Sequence, residues 1–442
     1  MDQTPVNREN WLEHDALSDI GLRRSNNQDS FAVLLANSPD SWGSRGHLFM
    51  VADGMGAHAA GELASKMAVD TVPHTYNKLL EEPPAVAIRK AVEDANGKIH
   101  SRGQANLDFR GMGTTASVLL LLPSGAMVAH VGDSRVYRLR GNRIEQLSFD
   151  HSLVWEMMAS GKLSENEIPS YIPKNIITRS LGPAAQVQVD LEGPFPLAAG
   201  DAFLLCSDGL SGQVSDEEIG VILGTFTPRE AVRVLVDLAN LRGGPDNITV
   251  IVARIMSQPP SSAAAPLPVA HAAAGAKRRP TRPLGLVVVG ILSLVTLVMA
   301  MLEKYTVAMG SGALALVAAV IVMVRWLGAE ADTAGEGGGE RLGKGPHSSK
   351  VCLTNNAFVD KLAKVVDQLR EAATEENWSI DWHRFNGFDA RALAAAERKN
   401  YVDAVHEYGH AISFMMREIR GQRRKRGNGH VGSHEDSPPA PI

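Results

Sequence analysis

Aspartates stand where the apolar runs of this chain stop. Asp53 closes HLFMVAD, Asp133 closes AMVAHVGD, Asp208 closes AFLLCSD, and Asp246 stands just before NITVIVARI. Asp29, in RSNNQDS, comes just ahead of FAVLLA. Short aliphatic runs bounded by Gly, Asp, Asn or Pro predict β-strands. A single Asp-Gly pair is an ordinary turn. Repetition carries more, because strands gathered in one sandwich bring their ends to a shared rim. The carboxylates are therefore expected to converge. Crowded carboxylates repel one another and resist ionising. A divalent cation relieves this, and an all-oxygen set without Cys or His suits Mg²⁺ or Mn²⁺. Gly54, Gly132 and Gly209 adjoin three of the aspartates. A glycine beside a ligand lets the backbone carbonyl approach a cation as well.

Further runs, TTASVLLLL and RVYRL, lie among these strands. Apolar residues at three- and four-residue spacing predict helices over Glu62–Leu80, Ala85–Arg102, Ser215–Leu223 and Pro228–Leu241. Strands arrive in adjacent groups with helix pairs between the groups. That pattern predicts an α+β fold of antiparallel sheets with helices packed outside. The 442 residues exceed one ordinary core, so two or three units are expected. The formal net charge of −5 gives no general attraction to nucleic acid. The two cysteines, Cys206 and Cys352, do not form a disulfide framework. MDQTPVNREN holds no apolar stretch, so no cleaved signal peptide is expected.

A first, strand-rich domain is assigned to residues 1–256. A Pro/Ala-rich linker follows at 257–283. Two apolar runs, Leu284–Leu302 and Val307–Leu327, are each long enough to cross a bilayer as helix. Only Glu303-Lys304-Tyr305 and its neighbours join them, which predicts a two-helix transmembrane hairpin. Lys277, Arg278, Arg279 and Arg282 precede it and Arg325 closes it, which places both flanks in the cytosol beneath an inner, cytoplasmic membrane. A Gly-rich linker at 328–354 leads to a small all-α module at 355–421. A basic tail at 422–442 is expected to be disordered. Within the module, VHEYGHA spells H-E-x-x-H with His406, Glu407 and His410, a pattern that zinc proteases use on a helix. The surrounding residues favour a different reading. Phe388, Ala392 and Ala395, then Tyr401, Ala404, Tyr408 and Ala411, are spaced like the two helices of a tetratricopeptide-type pair. On that reading the two histidines lie on a helix surface, and the module serves an unidentified protein partner.

Taken in order, GLRRSNNQDS, DGMGAHAAGELAS, GMGTT, AHVGDSRVYRL, DHSLVWEMMASG, ITRSLG, CSDGL and PDNITVIV resemble the blocks of the bacterial metal-dependent protein phosphatases of type 2C. The resemblance spans roughly Ile20–Ile255. It implies a four-layer αββα sandwich of two antiparallel sheets flanked by helices. It implies two core Mn²⁺ or Mg²⁺ ions, with Asp53 bridging both and Gly54 binding through its carbonyl. Asp208 and Asp246 complete the first ion, Asp29 and Gln28 assist the second, and Asp133 serves a weaker third. Arg24 corresponds to the family's phosphate-binding arginine, and its plainer role is a surface ion pair. His58 is in the place of a leaving-group acid or substrate-binding residue, although capping of the Gly61-Glu62 helix start is the plainer explanation. Ala57 departs from the family's usual glycine, which strains the loop if that position needs positive φ. His151–Ser180 resembles a flap beside the site, with Tyr171, Met157 and Met158 in place to contact protein substrates, although core packing explains the methionines more simply. The implied reaction is hydrolysis of phosphoserine or phosphothreonine on proteins by a water activated between two metals about 4 Å apart. The substrates implied are serine/threonine kinases or their targets. The competing reading is a catalytically silent phosphoprotein sensor on the same domain. Retention of Asp53, Asp208 and Asp246 favours the enzyme.

Overall fold

The structure, a computed structural model, describes residues 11–56, 59–161, 176–260 and 342–429. The expected hairpin, Leu284–Leu302 with Val307–Leu327, lies outside these residues, as do Ala57, His58 and Tyr171. Among the described residues no helix is long and apolar enough to cross a membrane.

Two antiparallel sheets stack face to face. The first contains β1 (Leu12–Asp19), β7 (Arg135–Arg140), β8 (Arg143–Gln146), β10 (Ala202–Cys206), β11 (Ile248–Ile255) and β12 (Ser348–Val351), in the order β1-β11-β10-β7-β8-β12. The second contains β2 (Asp29–Leu34), β3 (His47–Met55), β5 (Ala116–Leu122), β6 (Gly125–Val131) and β9 (Asp190–Phe195), in the order β2-β3-β5-β6-β9, and the two-residue β4 (Gly113–Thr114) pairs with β3. The run ASVLLLL shows why the sheets stack. Leu119 and Leu121 pack between the sheets, while Val118, Leu120 and Leu122 pack under helices. Successive side chains of a strand face opposite ways, so a strand apolar at every position is buried on both faces.

Helices α2 (Ala60–Lys78) and α3 (Pro84–Ala105) cover the second sheet, after a short α1 (Pro39–Arg45). α4 (Leu153–Ala159) and the single turn α5 (Asp208–Ser211) lie in connecting segments. α6 (Asp216–Thr225) and α7 (Pro228–Leu241) cover the first sheet. The α+β fold and its two antiparallel sheets are as the sequence led us to expect. Three strands read too weakly to be foreseen. β1, β8 and β9 are rich in polar residues, and β1 is an edge strand.

The C-terminal segment corrects three expectations. The first is the linker 328–354, which contains β12. That strand pairs antiparallel with β8 through Ser348↔Gln146 to Val351↔Arg143. Just before it, Leu342 bridges Gly193 at the end of β9. One passing segment thus covers the β9 edge of one sheet and the β8 edge of the other, and edges left bare invite aggregation. The second is the isolated helical module. Helices α8 (Asn356–Glu375), α9 (Trp382–Glu397) and α10 (Tyr401–Gly429) share one continuous apolar core with α6 and α7. α7 is buried nearly all round because it lies between a sheet and these helices. The helical face expected to seek an outside protein is therefore used within the chain. Gly409 makes the close approach possible, since a Cβ there would lie 2.4 Å from the Phe226 ring. The third is the start of the tail, residues 422–429, the rest of 422–442 lying outside the described residues. α10 continues through residue 429, since Gln, Arg and Lys are good helix formers. The paired small residues Ala392, Ala395, Ala404 and Ala411 are buried where α9 meets α10, as the helix-pair pattern anticipates.

Candidate active site

Asp29 and Asp53 are directly opposite in the β2–β3 ladder. Their side chains therefore leave the same face of the sheet. Phe49 and Val51 of β3 face the other sheet, and Asp53 follows them in the alternation to the rim of the inter-sheet seam. From the other sheet, Asp208 follows β10 and Asp246 precedes β11, and these two strands are paired. Asp133 follows β6. The structure therefore gathers all five aspartates at one end of the sandwich.

Their backbones are held by residues that the sequence blocks contain but that chemistry alone does not single out. Thr115 Oγ1 accepts from the Asp53 amide at 2.8 Å, and the Thr115 amide donates to the Asp53 carbonyl at 2.9 Å. Thr114 Oγ1 donates to the same carbonyl at 2.9 Å. Ser207 Oγ donates to Asp29 Oδ2 at 2.7 Å, which links the two sheets across the rim. Asn247 Oδ1 accepts from the Gln28 amide at 2.8 Å, and its Nδ2 donates to the Ile20 and Asn26 carbonyls. That side chain ties the start of β11 to the Arg24 loop.

Gly54 has a firmer reason than access for a carbonyl. A Cβ on it would lie 2.1 Å from the Gly61 carbonyl oxygen and 2.6 Å from that of Gln28. The end of β3 crosses the first turn of α2 backbone to backbone, and Gly61 answers Gly54 in the same contact. The glycines around Asp53 are thus a packing requirement that brings the helix to the rim.

The electrostatics follow from crowding. Burial, helped by the charges of Asp208 and Asp246, outweighs the lowering effect of hydrogen bonds from Ser207 and Thr249 and raises Asp29 to about 7. Burial, then Asp208 and Asp150, raises Asp133 to about 7. Burial, then Asp29 and Asp208, puts Asp53 well above the usual carboxylate range. Burial, then Asp246, also raises Asp208. Asp29 Oδ1, Asp133 Oδ1 and Asp208 Oδ1 are buried without a hydrogen-bond partner. Buried polar atoms are normally satisfied. Hard, anionic, unsatisfied oxygens are the donor set that fits Mg²⁺ or Mn²⁺.

Arg24 takes the plainer of its two expected positions. Its Nη2 donates to Asp246 Oδ2 at 2.6 Å, and its side chain remains 49% exposed. His58 is not among the described residues. Of the expected flap, Met157 and Met158 are half-buried on α4. Asp133, Asp208 and Asp246 line a cleft of about 1510 Å³. Its far wall includes Lys344, His347 and Lys350, from the segment read as linker. Nothing in the sequence signals this wall, because it depends on a pairing with β8 some two hundred residues away.

The family profile described as Protein phosphatase 2C matches residues 23–237. Protein phosphatase PhpP of Streptococcus pneumoniae is 40% identical over 248 residues, covering 54% of this chain and 96% of the relative. The serine/threonine phosphatase stp of Listeria monocytogenes is 37% identical over 242 residues, covering 53% of this chain and 92% of the relative. Among solved structures, a mutant bacterial serine phosphatase is 31% identical with a TM-score of 0.50, covering 56% of this chain and 100% of that one. With nearly the whole of each relative aligned, and the aspartates gathered as its blocks imply, the chain belongs to the protein phosphatase 2C family of serine/threonine protein phosphatases.

Proposed function

We propose that the aspartate rim holds two divalent cations and that the chain hydrolyses phosphoserine and phosphothreonine on proteins while tethered to a membrane. The observation that carries the metal site is the set of three buried carboxylate oxygens left without hydrogen bonds at one end of the sandwich. The family uses Mn²⁺ or Mg²⁺. Asp53, the Gly54 carbonyl, Asp208 and Asp246 are the residues to hold the first ion, and Asp53 with Asp29 the second. Asp133 with Asp208 suits a weaker third. Bound there, the ions supply Lewis acidity to a water and to the phosphoryl oxygens.

The protein's own residues do the rest. Arg24, exposed and charged, pairs with phosphate oxygens by swinging from Asp246, and a guanidinium fork suits that geometry. Attack on phosphorus breaks its bond to the seryl or threonyl oxygen, and His58 protonates that leaving oxygen. The cleft admits a peptide segment alongside, with Lys344 and Lys350 in its wall.

Two runs, Leu284–Leu302 and Val307–Leu327, support the tether. One structural fact agrees with an even number of crossings. Residues on both sides of these runs belong to one compact unit, and a tether of two crossings would keep both flanks on one side of the membrane. Positive flanks put that side in the cytosol. Tethering raises the local concentration of membrane-bound phosphoprotein substrates, including kinases.

The test follows phosphate release from a phosphothreonine peptide by the full chain, with Mn²⁺ and with EDTA. We expect release only with metal, and a loss of at least ~100-fold in Asp208→Asn. A protein that binds Mn²⁺ and releases no phosphate is instead the silent sensor.

A further inference from the structure

The H-E-x-x-H spelling on α10 does not form a protease site. Glu407, which would be the base, accepts from Arg391 Nε at 2.9 Å. The carboxylate that faces the two histidines comes from Glu230, in the first turn of α7. Glu230 closes a capping box there, and Oε2 accepts from the Thr227 amide at 3.1 Å and from Thr227 Oγ1 at 2.7 Å. Its other oxygen, Oε1, lies 3.9 Å from His406 Nε2 and 3.6 Å from His410 Nε2. Among the described residues, this is the one trio of His, Cys, Asp or Glu side chains whose ligand atoms all lie within 4.8 Å of one another.

The trio is built. His406 and His410 are one helical turn apart and share a face of α10. Phe226 stacks on His406, with ring centres 5.1 Å apart, and Phe388 stacks on His410 at 6.0 Å. The two imidazoles meet edge to face at 4.3 Å. Side-chain exposures of 38%, 33% and 33% for His406, His410 and Glu230 leave a side open to solvent. Burial, then His406, lowers the basicity of His410, and the Thr227 hydrogen bonds outweigh burial to keep Glu230 acidic. Neutral imidazole and ionised carboxylate are the ligand forms. A tetrahedral zinc site needs ligand atoms about 3.4 Å apart, which Glu230 Oε1 approaches at 3.6 Å and 3.9 Å from the two imidazoles.

We propose that Glu230, His406 and His410 form a Zn²⁺ site that clips α10 of the C-terminal layer onto the start of α7. It differs from the aspartate rim in donor chemistry, since imidazole suits zinc and the rim's oxygens suit Mg²⁺ or Mn²⁺. Arg391 holds Glu407, the glutamate of the H-E-x-x-H pattern, so the site is assigned a structural role.

The experiment uses the full chain loaded with Mn²⁺ and then given ZnCl₂. Zinc retained per chain after gel filtration and the thermal midpoint are read for the parent, Glu230→Gln and His410→Gln. Glu230→Gln keeps a group able to close the capping box, so its fold should survive even if His410→Gln is unstable. We expect one more zinc ion per chain in the parent than in either variant. We also expect a zinc-dependent rise in midpoint that both variants lose and that Asp208→Asn retains. Phosphatase activity with Mn²⁺ should be unchanged in Glu230→Gln. Equal zinc retention in the parent and Glu230→Gln, or a midpoint rise that persists in Glu230→Gln, overturns the proposal.

Discussion

Asp53 and Glu218 are both acidic residues at the ends of regular elements, and the fold treats them in opposite ways. At the rim, burial and neighbouring carboxylates leave Asp53 far above the usual acid range, with Asp29 and Asp133 at about 7. At the N-terminus of α6, burial also opposes the charge on Glu218. There, hydrogen bonds from Arg242 and Lys361 outweigh it and hold the carboxyl at about 2. Arg242 makes two 2.7 Å contacts to Glu218, and Lys361 of α8 adds a third at 2.7 Å. The chain thus supplies its own cations where the C-terminal layer docks. At the rim, among the described residues, one exposed arginine pairs directly with one of the five aspartates. A stabilising joint and a cation site are told apart by whether the protein completes the charge itself.

The comparison breaks most visibly if the rim is neutralised. Asp53→Asn should lower kcat/KM for a phosphothreonine peptide by at least ~100-fold. It should also raise the midpoint of the chelated protein, because a repelled charge has been removed. A lower midpoint would mean that the Asp53 carboxylate is structurally satisfied. Glu218→Gln should do the reverse. It strands Arg242, costs about 2 kcal/mol in urea unfolding once the exposed Lys361 is discounted, and leaves kcat/KM unchanged. Equal stability would show that Glu218 contributes nothing to the docking of α8.

The pH dependence sharpens the contrast because the two slopes have opposite signs. Asp29 and Asp133 are raised from 3.8 to about 7. Their contribution to stability is complete below about 4 and is lost as pH climbs through 7. Glu218 is lowered from 4.5 to about 2, so its contribution is complete above about 4.5 and is lost as pH falls through 2. Midpoints of the protein in chelator should therefore fall from pH 5 to pH 8, and Asp29→Asn should flatten that limb. They should fall again below pH 4.5, and Glu218→Gln should flatten that one. Unflattened limbs would assign the slopes to other groups.

The rim was legible because each aspartate ends or begins an apolar run, and strand ends in a sandwich meet. The flanking helices were legible from their periodicity. β12 was not, since SSKV has no apolar alternation and owes its conformation to β8. The docking of α8–α10 was hidden for a similar reason. An apolar helical face is visible in sequence, but whether it meets another protein or α7 is decided by contacts distant along the chain. Gly54 was recognised, but for access to its carbonyl, because the approach of Gly61 exists only once β3 and α2 have crossed. Glu230 was not singled out in the sequence, since nothing nearby in the chain brings it to His406.

The smallest expected effect falls on Arg24, which belongs to both sides of the comparison. Among the described residues it is the cation that pairs directly with a rim aspartate, yet half of its side chain is in solvent. If its role is to meet phosphate, Arg24→Lys keeps the charge and loses the fork. Lysine binds phosphate as a point charge, so KM should rise several-fold while kcat changes little. The stability change should stay within about 1 kcal/mol, because exposed ion pairs contribute little. A fall in kcat with KM unchanged would instead indicate that the 2.6 Å contact positions Asp246 for the metal, and that Arg24 belongs with Arg242 among the cations that hold the fold's carboxylates in place.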